Sequence, residues 1–288
     1  MRVVALLTDY GLKDPYVSKI KGKFLSFYLE TTLVDISHEV SKFHLPQAAY
    51  TLQATWRDFP EQSIIVIDVD HPFVKSDIIV CRVEGRYLIA PNNGILSLLQ
   101  NESHNEMLQF DEVRVIKSDG DTSFPFYENL KKEHLDCVFN GKLSQLGEEI
   151  PNGILTFKQD EIKLEEQSIE GHVIYIDSYG NIVTNIHKSI FEDKQKGRAF
   201  EIKVGAEYIT NISTGYKVGS GAKCIALFNS LGYLEIALTD ANASNLLGTK
   251  AQTYMNLDQQ FKKASEQLGI QYDTTVSITF SNQLTPLL

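Results

Sequence analysis

"LLTDYGLKDPYVSKIKG", residues 6–22, runs from an apolar strand through an acidic, glycine-bearing turn into a helical stretch that carries Lys19 and Lys21. The stretch is the first of a series of strand-then-helix patterns. "VVALLT" precedes a helical pattern over 14–29, "TLVDIS" precedes one over 45–57, and "SIIVIDVD", "DIIVCRV" and "YLIAP" lead to "GILSLLQ". Near-continuous Val, Ile and Leu runs that alternate with helices predict strands covered on both faces. Residues 1–160 are therefore expected to form an α/β domain with a largely parallel sheet between helices.

From about residue 168 the pattern changes. "GHVIYIDSYGNIVTNI", "AFEIKVGAEYITNI", "AKCIALFNS" and "GYLEIAL" are short strand-like runs separated by closely spaced Gly, Asn and Ser turns. They predict a smaller antiparallel, β-barrel-like domain over 168–288, with "TTVSITF" returning as its last strand. Between the two domains, "GEEIPNGILTFKQDEIKLEEQSIEG" is acidic and turn-rich and reads as the crossing. The stretch 256–268 reads as a helix with a mixed polar face, suited to packing or to decorating a subunit boundary.

The chain has 288 residues, 43% of them hydrophobic, enough to bury a full core. Its net charge of −10 argues against nucleic acid, which is gripped by clustered Lys and Arg. Cys81, Cys137 and Cys224 lie far apart with no CxxC and no metal-like spacing to His, so they read as buried free thiols and no metal is expected. Met1 leads directly into "RVVALL" without a cleavage region, and no run approaches the roughly 18 apolar residues of a membrane span. A soluble cytoplasmic protein with no membrane partner is expected.

In an open α/β sheet, ligands gather beyond the carboxyl ends of the strands. Four such ends stand out: Thr8-Asp9-Tyr10-Gly11, Asp35 to His38, Asp68 to His71, and Pro91-Asn92-Asn93-Gly94. Each alone reads as a turn or helix cap. Converging on one sheet edge, they mark a site. Neither GxGxxG nor GxxxxGK[ST] occurs, so no backbone cradle for a dinucleotide or triphosphate is expected. Carboxylates suit a ribose diol instead, accepting two hydroxyl protons. In the second domain Asp177 and Asn181 flank a tight turn, and Asn229 and Ser230 precede a glycine that opens the next strand. An Asn donates and accepts together, which fits an adenine edge, and an Asp receives an ammonium group, although both are also ordinary hairpin residues.

Five blocks, "TDYGLKDPYVSKIKG", "VDISHEVSKFHLPQAAYTL", "YLIAPNNGILS", "IDSYGNIVTNI" and "FNSLGYLEIAL", occur in an order and spacing that resemble the S-adenosyl-L-methionine (SAM) hydroxide adenosyltransferases, or SAM hydrolases, relatives of the fluorinating and chlorinating enzymes. The resemblance implies an α/β domain, a β-barrel-like domain, and a homotrimer with substrate held where subunits meet. It places Asp9 on the ribose diol, with Tyr10 beside it in the same block and Asp14 and Tyr16 at neighbouring contact positions. It sets Phe43 against the sugar, Asp177 on the methionine ammonium, Asn181 on adenine and Ser230 at the amino-acid end. Tyr10 and Asn93, each in a matching block at a strand end, are also expected to bind substrate, and Tyr216 aligns more loosely as a surface for the base. SAM is the implied substrate, and no cofactor is implied.

The implied chemistry is attack of water or hydroxide at ribose C5′, with methionine leaving as a neutral thioether. The sulfonium leaves readily, so the protein's task is to orient and desolvate the nucleophile and assist removal of its proton. In the family this falls to an Asp, Arg and His set. Here "DVDHPFVKS" keeps Asp68 but puts Lys75 at the arginine position, with Asp70, Pro72 and Phe73 replacing glycines. "TSFPFYENL" lacks the histidine, leaving Pro125 or Phe126 in its place. Lys keeps the charge but not the planar fork. A desolvated Lys75 as base, His71 as a substitute and the hydroxyl of Tyr127 are alternatives. Asp68 and Lys75 are thus the expected catalytic residues of a SAM hydrolase. The rival readings are a SAM- or adenosine-binding protein that has lost catalysis, and an enzyme on another adenosine derivative. The short "DIIVCRVEGRYLIAP" lacks the insertion of halogenating members, which disfavours halide chemistry.

Overall fold

Side chains of β1 (Arg2–Thr8) alternate between two hydrophobic layers, and this sets the architecture of the first part of the chain. Val4 and Leu6 share a cluster with Ile20 and Phe24 of α1 (Tyr16–Phe27), while Ala5 and Leu7 share another with Leu45, Ala48 and Leu52 of α2 (Leu45–Gln53). All four strand residues are fully buried. Helices on both faces are why the strand reads as an unbroken apolar run. Val17, Ile20 and Phe24 form the buried stripe of α1, at the spacing of one helical face. The computed structural model describes residues 2–70, 77–100, 108–118, 124–150, 153–158, 161–216, 223–239 and 274–284, in two units, Met1–Gln159 and Asp160–Leu288.

In the first unit β2 (Thr31–Ser37), β3 (Ile64–Asp68), β4 (Ile78–Val83), β5 (Arg86–Pro91), β6 (Glu112–Ile116) and β7 (Glu148–Glu149) join β1 in the order β2-β1-β3-β5-β4-β6-β7. The first four strands of that order are parallel, and the others extend them antiparallel. The switch comes at Glu84 and Gly85, both with positive φ, in the two-residue loop from β4 to β5. A loop that short can join only antiparallel neighbours. α2 ends at Gln53, earlier than the helical pattern over 45–57 predicts, and a 3-10 turn at Trp56–Asp58 follows. Thr51 and Thr55 hydroxyls donate back to Gln47 and Thr51 carbonyls, competing with helix propagation, while Trp56 is fully buried.

α3 (Ile95–Gln100), α4 (Pro125–Asn129) and α5 (Lys132–Phe139) complete this unit. The polar crossing is drawn partly into it. Leu155 N–H donates to Asn92 Oδ1 at 3.0 Å and Phe157 N–H to Ser97 Oγ at 2.9 Å. Gly94, at φ +99°, makes room: a Cβ there would sit 2.8 Å from Phe157 Cβ and 2.9 Å from its backbone nitrogen.

In the second unit β8 (Lys163–Leu164) pairs with β9 (Ser168–Ile176), and α6 (Lys188–Gln195) follows β10 (Ile182–His187). β11 (Arg198–Val204), β12 (Glu207–Ile209), β13 (Lys223–Phe228), β14 (Tyr233–Thr239) and β15 (Thr275–Leu284) give the antiparallel order β12-β11-β15-β9-β10-β14-β13. The chain beyond β12 bridges Ile212 to Ala226 of β13, which nearly closes the sheet into a barrel. Ile169, Val173, Ile182, Ile186, Leu234 and Ile278 are among its filling. The "TTVSITF" run returns as the last strand, as expected, and the structure places it between β9 and β11.

The thiols differ from the uniformly buried set expected. All three are free, but only Cys81 is buried, and burial pushes its pKa well up; Cys137 and Cys224 are half-buried. The helix expected over 256–268 lies outside the described residues. No helix among the described residues is long and apolar enough to cross a membrane.

Candidate functional site

The strand order β2-β1-β3 fixes where a ligand belongs. The chain leaves β1 for β2 on one side and then crosses to β3 on the other, so the connections diverge between β1 and β3. Such a switch point opens a crevice at the carboxyl ends. Thr8 is opposite Asp68, Leu7 opposite Ser37, and Val66 opposite Ile89, which brings the ends of four parallel strands to one edge.

Asp9 is nearly buried, at 5% exposure, and organises this edge. Its Oδ2 accepts from the N–H of Phe43 at 2.9 Å and, more weakly, of Asp70 at 3.4 Å, while its carbonyl accepts from the Lys42 ammonium. Oδ1 carries neither of the Oδ2 bonds. Asn93 Nδ2 donates to the carbonyls of Val69 and Asp70, at 2.8 and 2.9 Å, and its Oδ1 accepts from Ile95 N–H. Phe43 and Asp70 both have positive φ, 64° and 49°. Such backbones cost about 1–3 kcal/mol each. A hydrogen bond to a charged group contributes about 1.5–3 kcal/mol, enough for the Asp9 carboxylate to hold Phe43 in place. The Phe43 ring stays 66% exposed. Gly11, at φ +69°, turns the chain after Asp9 so that its N–H reaches the His38 carbonyl at 2.7 Å.

Asp68 is fully buried, and the Tyr10 hydroxyl donates to its Oδ2 at 2.6 Å. The Tyr10 ring packs against Tyr16, 5.3 Å between centroids, and edge-on against Phe124 at 5.5 Å. Phe124 in turn stacks on Tyr127, over which Lys19 and Lys23 lie. Burial, then the charge of Asp68 and the bond to it, push the Tyr10 phenol far above its ordinary pKa, so it remains a donor. Burial likewise lowers the pKa of Lys23. Where the resemblance implies a histidine, the structure has aromatic packing: Phe124 and Phe126 are buried. Asp14 is exposed and Tyr16 is 41% exposed. Lys75 and His71 lie outside the described residues.

His38 buttresses the same edge. Its Nδ1 is 2.9 Å from Thr8 Oγ1 and its Nε2 is 3.1 Å from Asp35 Oδ1, while Lys21 donates to Asp35 Oδ2 at 2.6 Å. Burial opposes ionisation of Asp35, yet donation from Lys21 and His38 outweighs it and holds the carboxyl below its ordinary range. With Thr8 and His38 buried, this chain of contacts ties β1 to β2.

The second unit gathers its own polar cluster. Asn181 donates to Asp177 through its backbone N–H at 2.8 Å and through Nδ2 at 3.0 Å, which closes the β9–β10 turn. Tyr216 donates to Glu235 Oε1 at 2.7 Å, and Ser230 sits exposed in the turn before β14. Asn229 Oδ1 accepts from the N–H groups of Leu231 and Tyr233.

Glu235 escaped the sequence reading. Leu234 and Ile236 face the barrel core, so alternation predicts an outward, solvated Glu235, but it is only 5% exposed. Burial raises its pKa, bonds from Tyr216 and Asn229 oppose that, and the charge of Asp177 adds to it. A carboxyl whose pKa is raised on folding stabilises the fold at pH values below its unfolded pKa and loses that contribution as pH rises through the folded value. Glu235→Gln, which cannot ionise, is therefore expected to gain stability relative to the parent as pH rises above the ordinary Glu range. Urea midpoints of both proteins from pH 4 to 8 check this; a difference that does not change with pH contradicts it.

Comparison with known proteins gives the family. Residues 4–142 match the family described as the SAM hydroxide adenosyltransferase N-terminal domain, and residues 171–256 match its C-terminal domain. An (R)-S-adenosyl-L-methionine hydrolase of Methanocaldococcus jannaschii is 29% identical, over 85% of this chain and 91% of that one. A protein of the same description from Thermus thermophilus is 26% identical, over 87% and 97%. A fluorinase of Nocardia brasiliensis is 24% identical, over 86% and 94%. The crystal structure of an uncharacterized conserved protein from Thermotoga maritima superimposes with a TM-score of 0.75 over 96% of this chain and 99% of that one, at 22% identity, a likeness of fold.

Proposed function

Since the chain belongs to the SAM hydroxide adenosyltransferase family, we propose that it hydrolyses SAM to adenosine and L-methionine. The observation that carries this reading is the fully buried Asp68 beside the half-engaged Asp9 carboxylate at the β1/β3 switch point.

Asp9 Oδ1 accepts from the ribose hydroxyls, with Phe43, Asp14 and Tyr16 around the sugar and Asn93 holding the loop that carries Asp70. Asp177 receives the methionine ammonium, Asn181 reads adenine, Ser230 contacts the amino-acid end and Tyr216 offers a face to the base. A water oxygen forms the new bond to C5′ as the C5′–S bond breaks, its electron pair going to sulfur to leave neutral methionine. The water's proton passes to Asp68, assisted by the charge of Lys75. A leaving group that departs neutral needs no acid, so catalytic work concentrates on the nucleophile. The reading includes a cytoplasmic homotrimer with substrate held where subunits meet.

With SAM supplied, adenosine and methionine are expected in equal amounts by chromatography, unchanged by added fluoride or chloride. Binding of SAM without turnover would contradict the reading and leave a non-catalytic binding protein.

A further inference from the structure

Asp68 is a buried carboxylate whose usefulness as a proton acceptor depends on staying ionised and on where its oxygens point. Among the described residues, Tyr10 reaches it, and two further elements pack on Tyr10. Tyr10, on the turn after β1, donates to Oδ2 at 2.6 Å. Tyr16 from the start of α1 and Phe124 before α4 pack on the Tyr10 ring at 5.3 and 5.5 Å and on each other at 5.4 Å. These contacts leave the phenol little freedom to swing away from the carboxylate.

We propose that Tyr10 is a positioning residue for the hydrolysis, its hydroxyl fixing the orientation of the Asp68 carboxylate and keeping it a proton acceptor. This rests on the role given above to Asp68 and extends it to a side chain grouped with the sugar contacts. An O–H donor favours the charged form of a carboxylate, offsetting the penalty of burial. Among the described residues, the other charged or titratable groups facing Tyr10 are Asp9 from its own turn and Tyr16 from α1, while Lys19 of α1 lies over the Phe124 ring. Neither Asp9 nor Tyr16 favours a charge on the phenol, and burial suppresses it further, so the hydroxyl remains a donor across the working range. The three-ring packing does for Tyr10 what Tyr10 does for Asp68.

Tyr10→Phe removes only the hydroxyl and leaves the ring between Tyr16 and Phe124. Its kcat is expected to fall about tenfold or more with KM nearly unchanged, the mark of a group that acts on the reacting centre. The acid limb of its pH–rate profile is expected to move up by about one unit, because Asp68 now takes its proton at higher pH. A direct reading that needs no turnover is the titration of Asp68 by its side-chain carboxyl carbon-13 resonance, assigned with Asp68→Asn. The midpoint is expected to rise in Tyr10→Phe by a similar amount. An unchanged midpoint overturns the proposal, as does an active Tyr10→Phe with the parent's kcat and profile. If the parent shows no turnover of SAM, the assigned reaction fails, while the carboxyl titration still decides the part played by Tyr10.

Discussion

Asp68→Asn is expected to lower the turnover of SAM by about 10²- to 10⁴-fold, the range for losing a positioned general base, while substrate affinity stays within about threefold. Asparagine matches the carboxylate in shape and still offers Tyr10 an oxygen acceptor, so the packing at the end of β3 survives. What it cannot do is take a proton. Because Asp68 is fully buried, nearby solvent is poorly placed to substitute for it. Steady-state kinetics and calorimetry on the same preparation separate the two effects. A variant that keeps the parent's kcat would remove Asp68 from the chemistry and shift attention to Lys75, His71 or Tyr127.

Asp9→Asn is expected to weaken the binding of adenosine by about 1.5–3 kcal/mol, or roughly 10- to 150-fold in Kd, as befits hydrogen bonds to a charged group. The same carboxylate also holds Phe43 and Asp70, so a loss of affinity alone has two explanations: a lost sugar contact or a loosened loop. A ligand without the diol tells them apart. If Asp9 accepts the sugar hydroxyls, the substitution costs adenosine far more than 2′,3′-dideoxyadenosine, and the difference between the two losses is the coupling energy. Equal losses would assign Asp9 to loop architecture and take the diol contact away from it.

How far the site is legible in the sequence follows the range of the interactions. The buried runs of β1 and β3 and the close turns of the second unit are local patterns, and they predict the two architectures directly. The strand-end motifs are legible for the same reason, since a parallel sheet must bring them to one edge. The Tyr10 bond to Asp68 is not, because it spans 58 residues and depends on the register that sets Thr8 opposite Asp68. The positive φ of Phe43 is equally hidden: nothing in "SKFHLP" calls for a left-handed residue, and the conformation is sustained by a carboxylate 34 residues away. The burial of Glu235 is hidden because strict alternation on a strand predicts which face a side chain takes, not whether that face is covered. The roles of Lys75 and His71 stay with the sequence reading, since both lie outside the described residues.

The claim beneath all of this is that water oxygen becomes bonded to the ribose C5′ of SAM as methionine departs. Turnover in water enriched in oxygen-18, followed by mass spectrometry of the products, tests it most directly. Label is predicted in the 5′-hydroxyl of adenosine and absent from methionine. Adenosine formed without label, or no adenosine at all from a folded protein saturated with SAM, would contradict it.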